Sequence, residues 1–140
     1  MSEDKINSYP KIYNVGHRAI QDIFKEDVYI TEKVDGSQFS FGIREGVLTA
    51  RSKGCQLTIE APEKMFIQAI ETIKELQPLL HEGWTYRCEY LKGPCHNTLK
   101  YDRIPNKHLI IYDIDSGDQN YKSHEEMSIE AKEQPQVLVY

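Results

Sequence analysis

Residues 37–52, SQFSFGIREGVLTARS, predict a β-hairpin. Every second residue from Phe39 to Ile43 is aromatic or aliphatic, and this period of two is typical of a strand with one buried face. Glu45 and Gly46 are candidates for a two-residue turn, because glycine permits the positive torsion angles that tight hairpin turns need. Residues 47–52 would return as the hairpin partner, so the sequence indicates an antiparallel sheet here.

The segments around this hairpin predict an α+β domain with mostly antiparallel strands and one long helix. Apolar side chains recur at helical spacing from Pro62 to Leu76, and Pro78 and Gly83 are expected to end this helix. The other predicted elements are a helical turn at 18–24, strands at 28–33, 84–91 and 108–114, a short helix from Met127 and a strand at 137–140. A chain of 140 residues fits a single domain, 1–140, and a strand that stops at the last residue suggests that this domain is truncated.

The composition is typical of a globular protein in a reducing compartment. Hydrophobic residues make up 39% of the chain and charged residues 28%, without an apolar run of membrane-spanning length or a signal-peptide core. We therefore expect a cytoplasmic protein with no membrane partner. Three cysteines without a C-x-x-C pair favour buried or incidental thiols over a zinc site. The net charge of −5 argues against a general nucleic-acid binder. It is compatible with a local basic surface on the protein.

The candidate chemistry begins at Lys33, in the stretch EKVDGS at residues 32–37. A lysine amine is a nucleophile when its neutral form is accessible. Attack on the α-phosphate of a nucleotide would form a phosphoramidate and expel pyrophosphate, provided that Mg²⁺ and cationic side chains neutralise the phosphate charge. The motif K-x-D-G alone is a weak signal, and the alternative is a solvated lysine before an ordinary Asp-Gly turn.

Three further motifs follow Lys33 in order: R-S-K-G at residues 51–54, Glu89 on a predicted strand, and Y-D-I at residues 112–114 on another. Together with K-x-D-G, they resemble the covalent nucleotidyltransferases, which are the ATP-dependent DNA and RNA ligases and the capping enzymes. The stretches YPKI, EKVDGSQFSF and HNTLKYDRIP are most similar to RNA ligases of the RNA-editing and phage kind. The resemblance covers residues 8–115, which is most of the chain.

The resemblance implies a role for each matching residue, with ATP and Mg²⁺ as cofactors. Lys33 would become lysyl-AMP, and Tyr112 would stack on adenine, where the family often has phenylalanine. Arg51 would position the nucleotide sugar and the 5′-phosphate of the nucleic acid. The other implied nucleotide-binding residues are Glu32, Asp35, Gly36, Glu89 and Asp113. The resemblance also implies a place near the nucleic-acid path for three residues of the long polar connection at 92–106, namely His96, Asn97 and Arg103. The alternative for these residues is an ordinary loop that is held by Asn and Pro turns.

The resemblance also implies a fold, that of the N-terminal part of a ligase nucleotidyltransferase (ATP-grasp-like) domain. Nothing after Asp113 matches the later E-x-x-V-x-K motif of the family or its final K-x-K pair, whose lysines approach the α-phosphate.

The implied function is an ATP-dependent RNA ligase that seals RNA 5′-phosphate to 3′-hydroxyl ends in RNA repair, with weak or no activity in this chain alone. Three alternatives stay open: a non-catalytic nucleotide- or RNA-binding module, half of a split ligase completed by a partner chain or a homodimer, and an ordinary α/β domain with coincidental matches.

Overall fold

A computed structural model describes residues 5–132, 138 and 139 of the chain. Five strands form an antiparallel sheet in the order β3-β2-β1-β4-β5, and a two-residue strand, β6, pairs with β5 in parallel. The strands are β1 (Ser37–Arg44), β2 (Val47–Ser52), β3 (Gln56–Leu57), β4 (Thr85–Tyr90), β5 (Leu109–Asp115) and β6 (Leu138–Val139). The helices are α1 (Ile67–Leu76) and α2 (His124–Lys132), so the predicted α+β class is confirmed.

The predicted hairpin is confirmed to the residue. Strands β1 and β2 pair in antiparallel register, with Arg44 opposite Val47 at the closed end. Glu45 and Gly46 form the turn with φ values of 53° and 77°, and such a pair of positive angles matches the twist of the flanking strands.

The long helix packs on one face of the sheet and builds the core. It lies in a helical segment of 16 residues from Lys64 to Leu79, in which 3-10 turns flank α1. The helix was predicted to begin at Pro62, whereas the segment begins two residues later at Lys64. Pro78 lies inside the last 3-10 turn, where a proline without an N–H is tolerated. The buried residues of α1 pack against the alternate aromatic and aliphatic side chains of β1, β4 and β5. None of the helices in the described part of the chain is long and apolar enough to cross a membrane.

The strand predicted at 28–33 is wrong. These residues are irregular in the structure, and Ile30 remains 89% exposed. β-Branched and aromatic side chains favour a strand only when a neighbouring strand covers them, and none of the described strands pairs with this segment.

The late helix starts at His124 rather than near Met127, because Ser123 and Glu126 form a reciprocal capping box. Positions 137 and 140 of the predicted last strand lie outside the described residues.

The other face of the sheet is polar, and the N-terminal segment covers part of it. The polar row crosses four strands in register and consists of Arg51, Ser40, Arg87 and Asp113. Residues 5–12, called the strap below, lie over this row. The carbonyl oxygen of Ile6 accepts hydrogen bonds from Arg51 Nη1 at 3.3 Å and from Gln56 Nε2 at 2.6 Å. The Ile6 side chain is fully buried, so it anchors the strap to the sheet.

Candidate active site

A cleft of about 810 Å³ opens beside the polar face of the sheet. Four parts of the chain line it: the strap from Ser8 to Ile12, the segment from Thr31 to Gly36, the sheet itself, and the loop after β2. Its size falls within the range of pockets that hold small molecules and cofactors. Five of the sequence-predicted site residues line this one cleft, although they are far apart in the sequence: Glu32, Lys33, Gly36, Glu89 and Tyr112.

Lys33 is exposed in this cleft, on a backbone that is anchored by its neighbour. The next residue, Val34, is buried and packs with Leu91 and Ile110 in a small cluster of its own. Burial of one aliphatic side chain contributes about 1.5–3 kcal/mol, so the chain is held in place immediately after the lysine. The amine therefore projects from a fixed point into the cleft.

Gly36 is required by a close backbone approach. A Cβ at this position would lie 2.4 Å from the carbonyl oxygen of Tyr90 and 3.1 Å from Glu89 Cγ, and only glycine avoids that collision. Its N–H donates a hydrogen bond to Glu89 Oε2 at 3.2 Å. Gly36 therefore docks the K-x-D-G turn directly onto β4.

Glu89 is a half-buried carboxylate beside Lys33. Burial raises the pKa of Glu89, while the Gly36 N–H and the positive charge of Lys33 lower it in part. Glu89 lies across from Gln38 in the register of β1 and β4, and both side chains line the cleft. The Gly36 N–H holds one oxygen of the carboxyl group, so the orientation of this group in the cleft wall is fixed.

Tyr112 lies at a bulge in β5. Arg87 pairs with Asp113 and Cys88 pairs with Ile111, so Tyr112 is the extra residue between these pairs. Such a bulge re-aims side chains locally, and it allows Ile111 and Ile114 both to face the core while Tyr112 faces the cleft.

Two neighbours fix the ring and hydroxyl group of Tyr112. Gln38 Nε2 donates a hydrogen bond to the hydroxyl oxygen at 3.1 Å, and the Tyr9 ring lies edge-on with its centroid 5.4 Å away. Burial raises the pKa of Tyr112 to about 12, so the ring stays neutral near pH 7. The side chain presents a flat apolar surface that suits stacking against a planar ligand.

Asp113 and Arg51 do not line the cleft; both contact the strap. Asp113 Oδ2 accepts a hydrogen bond from the Tyr9 hydroxyl group at 2.5 Å, and Arg51 donates to the Ile6 carbonyl oxygen. Burial raises the pKa of Asp113, and the Tyr9 bond lowers it in part. Arg51 Nε is buried and has no hydrogen-bond partner among the described residues. In this structure both residues anchor the wall of the cleft.

Arg87 is a site-forming residue that the sequence reasoning missed. Its side chain is 1% exposed, donates from Nη1 to Asn7 O at 2.7 Å and to Ser40 Oγ at 3.0 Å, and lies 5.5 Å from the centre of the Tyr9 ring. The signal was present in the alternation of β4, where charged residues at 87 and 89 interrupt the apolar positions 86, 88 and 90. The strap residue Tyr9, held by Arg87 and Asp113, was missed as well.

The cleft also contains two further lysines that were not predicted as site residues, Lys11 from the strap and Lys53 from the loop after β2. Three lysines and two glutamates thus line it, which leaves an excess of positive charge over negative charge. Such an excess favours an anionic ligand.

The long connection after β4 contacts the turn that follows Lys33. The Asp35 carboxylate accepts hydrogen bonds from this connection, so it faces away from the cleft lining. Asn97 contacts the same turn, while Arg103 is exposed further along.

His96 Nε2 lies 2.8 Å from Ser37 Oγ, and its Nδ1 accepts the Lys92 N–H. Because Nδ1 is occupied as an acceptor, Nε2 holds the proton and donates it, so this pair is not arranged as a serine nucleophile with its base.

The described residues contain no group of three or more His, Cys, Asp or Glu side chains that could hold a metal ion. Mg²⁺ in nucleotide sites is commonly bound by one or two carboxylates together with substrate phosphates. Glu32 and Glu89 in the cleft are compatible with that mode, in which the metal arrives with the nucleotide.

Neither a scan against protein-family models nor a search of the curated proteins finds a match for this chain.

Proposed function

We propose that this chain carries the adenylylation centre of an ATP-dependent RNA ligase, with Lys33 as the nucleophile. The observation that carries the proposal is the shared cleft, which is lined by Lys33, Glu89 and Tyr112 from three motifs of the resemblance. In this proposal the sheet and its strap are the N-terminal part of a ligase nucleotidyltransferase (ATP-grasp-like) domain. A cytoplasmic location fits the three cysteines, which are all free thiols.

The proposed reaction begins with the neutral amine of Lys33. Its lone pair forms a bond to the α-phosphorus of ATP, the bond to the bridging oxygen breaks, and pyrophosphate leaves with that electron pair while the amine proton passes to solvent. An oxygen of an RNA 5′-phosphate then attacks the same phosphorus and releases Lys33. A 3′-hydroxyl group finally attacks the activated 5′-phosphate and releases AMP.

The residues of the cleft divide these tasks. Tyr112 offers a stacking surface for adenine, and Glu89 offers a carboxylate for the ribose hydroxyl groups. Lys11 and Lys53 supply positive charge for the phosphates, and Mg²⁺ bound to those phosphates would add to it. Because the late lysine motifs of the family have no match after Asp113, we expect slow self-adenylylation. The loss of one such donor commonly lowers the rate about 100- to 1,000-fold.

The test is incubation of the purified chain with α-labelled ATP and Mg²⁺, followed by denaturation. We expect covalent label on Lys33 after long incubation, and no label in the Lys33→Ala variant. Lys64→Ala is the matched control, because Lys64 is an exposed lysine at the start of the helical segment and does not line the cleft. Equal labelling of the Lys33→Ala variant and the wild-type chain would refute the assignment of the nucleophile.

The second candidate function is a non-catalytic nucleotide- or RNA-binding module. It is favoured by the engagement of Arg51 and Asp113 with the strap, which leaves fewer charged groups for the ligand. ATP binding without covalent label, unchanged in the Lys33→Ala variant, would support this reading. A folded sample that neither binds ATP nor takes label would argue against both functions.

A further inference from the structure

The Asp35 carboxylate binds the connection after β4 through three donors. Residues 92–101 of this connection are called the clamp loop below. Asp35 Oδ2 accepts the backbone N–H groups of Thr98 and Leu99, each at 2.8 Å, and Oδ1 accepts from Asn97 Nδ2 at 3.3 Å. The Leu99 and Thr98 N–H groups lower the pKa of Asp35, and Lys33 and Asn97 contribute to the same direction. The carboxylate is therefore ionised near neutral pH, and both of its oxygens accept hydrogen bonds from the clamp loop.

The clamp loop forms three further hydrogen bonds with residues 35–37, the turn that follows Lys33. Tyr101 Oη accepts the Asp35 N–H at 2.8 Å, Asn97 Nδ2 donates to Gly36 O at 2.8 Å, and His96 Nε2 donates to Ser37 Oγ at 2.8 Å. Three consecutive residues after Val34 thus each bind the loop. Charge-assisted bonds such as those to Asp35 are stronger than neutral ones, so Asp35 is the centre of this network.

The turn is held from two sides as a result. On one side Gly36 donates to Glu89 on β4, and on the other side the clamp loop binds residues 35–37. Internal hydrogen bonds keep the loop compact, since Tyr101 N–H donates to Pro94 O at 2.8 Å and Lys92 N–H donates to His96 Nδ1 at 3.0 Å. Lys33 lies two residues before this doubly held turn, and only the buried Val34 stands between them.

We propose that Asp35 is a positioning residue, which aims the Lys33 amine by locking the turn to the clamp loop and makes no contact with the nucleotide. The inference rests on the proposed function and deepens it, because it assigns the acid of K-x-D-G to the protein's own loop and not to nucleotide binding. Displacement of a reacting group by about 1 Å can cost about 100-fold in rate. Loss of the lock therefore lowers the rate of lysyl-AMP formation at saturating ATP and leaves ATP affinity nearly unchanged.

The experiment compares Asp35→Ala, Asp35→Asn and the control Asp102→Ala, which removes an exposed acid just beyond the clamp loop. We expect Asp35→Ala to lower the labelling rate about 10- to 100-fold, with the Kd for ATP within about twofold of the wild-type value. Asp35→Asn keeps one acceptor oxygen, so it is expected to recover part of the rate. A rise in the Kd for ATP as large as the loss of rate would overturn the inference, because Asp35 would then be a nucleotide ligand.

Amide hydrogen exchange gives a second readout that needs no activity. Asp35→Ala should remove protection at Thr98 and Leu99 and also at Gly36, whose N–H is bound to Glu89 and not to Asp35. Faster exchange at Thr98 and Leu99 alone would mean that Asp35 holds the loop but not the turn, and would refute the inference. Intact ATP binding without label in the wild-type chain would instead count against the proposed function, and the exchange result would still decide the role of Asp35.

Discussion

Replacement of Gly36 by alanine tests how closely the K-x-D-G turn must approach β4. The added Cβ would lie 2.4 Å from the Tyr90 carbonyl oxygen and 3.1 Å from both Glu89 Cγ and Leu91 Cδ1. The first of these atoms is backbone in a paired strand, so the turn must move away from the sheet. Overpacking of this kind typically costs about 1–3 kcal/mol. The shift would also stretch the 3.2 Å hydrogen bond from residue 36 to Glu89.

Urea denaturation of the Gly36→Ala variant measures this cost as a change in the free energy of unfolding. Gly54→Ala and Gly93→Ala are matched controls, because a Cβ at either position would meet nothing within 4 Å and neither glycine has a positive φ. We expect a loss of about 1–3 kcal/mol for Gly36→Ala and changes within about 0.5 kcal/mol for the controls. Under the proposed function, Lys33 labelling should fall about 10- to 100-fold. Unchanged stability together with unchanged labelling would refute the account of the turn.

Three further predictions concern the strap, the cleft and the clamp loop. Tyr9→Phe removes the donor to half-buried Asp113, so we expect a loss of about 1–3 kcal/mol in urea denaturation; an unchanged midpoint would contradict it. Tyr112→Ala should weaken nucleotide binding by about 1–3 kcal/mol in calorimetry while Tyr112→Phe preserves it, and equal binding by both variants would exclude stacking. The folded pKa of Asp35 lies below its ordinary 3.8, so its hold on the clamp loop is complete above that value and is lost as the pH falls through the folded pKa. The Thr98 amide resonance should report this acid transition in NMR, and persistence of the transition in Asp35→Asn would assign it to another group.

Local patterns were sufficient for the hairpin and the main helix. The alternation from Phe39 to Ile43 and the Glu45-Gly46 turn act over a few residues, so they predicted β1 and β2 with the bounds that the structure has. The same local reasoning failed at 28–33, because a strand needs a partner and the local sequence does not specify one. The β5 bulge was equally invisible, since it is a property of pairing between two strands.

The sequence by itself determined strands β1, β2, β4 and β5, which support the candidate site, and the order of the motifs that line its cleft. The tertiary structure decided which polar residues face that cleft. Asp113 and Arg51 share a sheet face with Glu89, yet they bind the strap, through contacts that span 104 and 45 residues of the chain. Asp35 likewise binds a loop more than 60 residues away. Partners so distant depend on which segment covers each face after folding, and short-range periodicity carries no information on that choice.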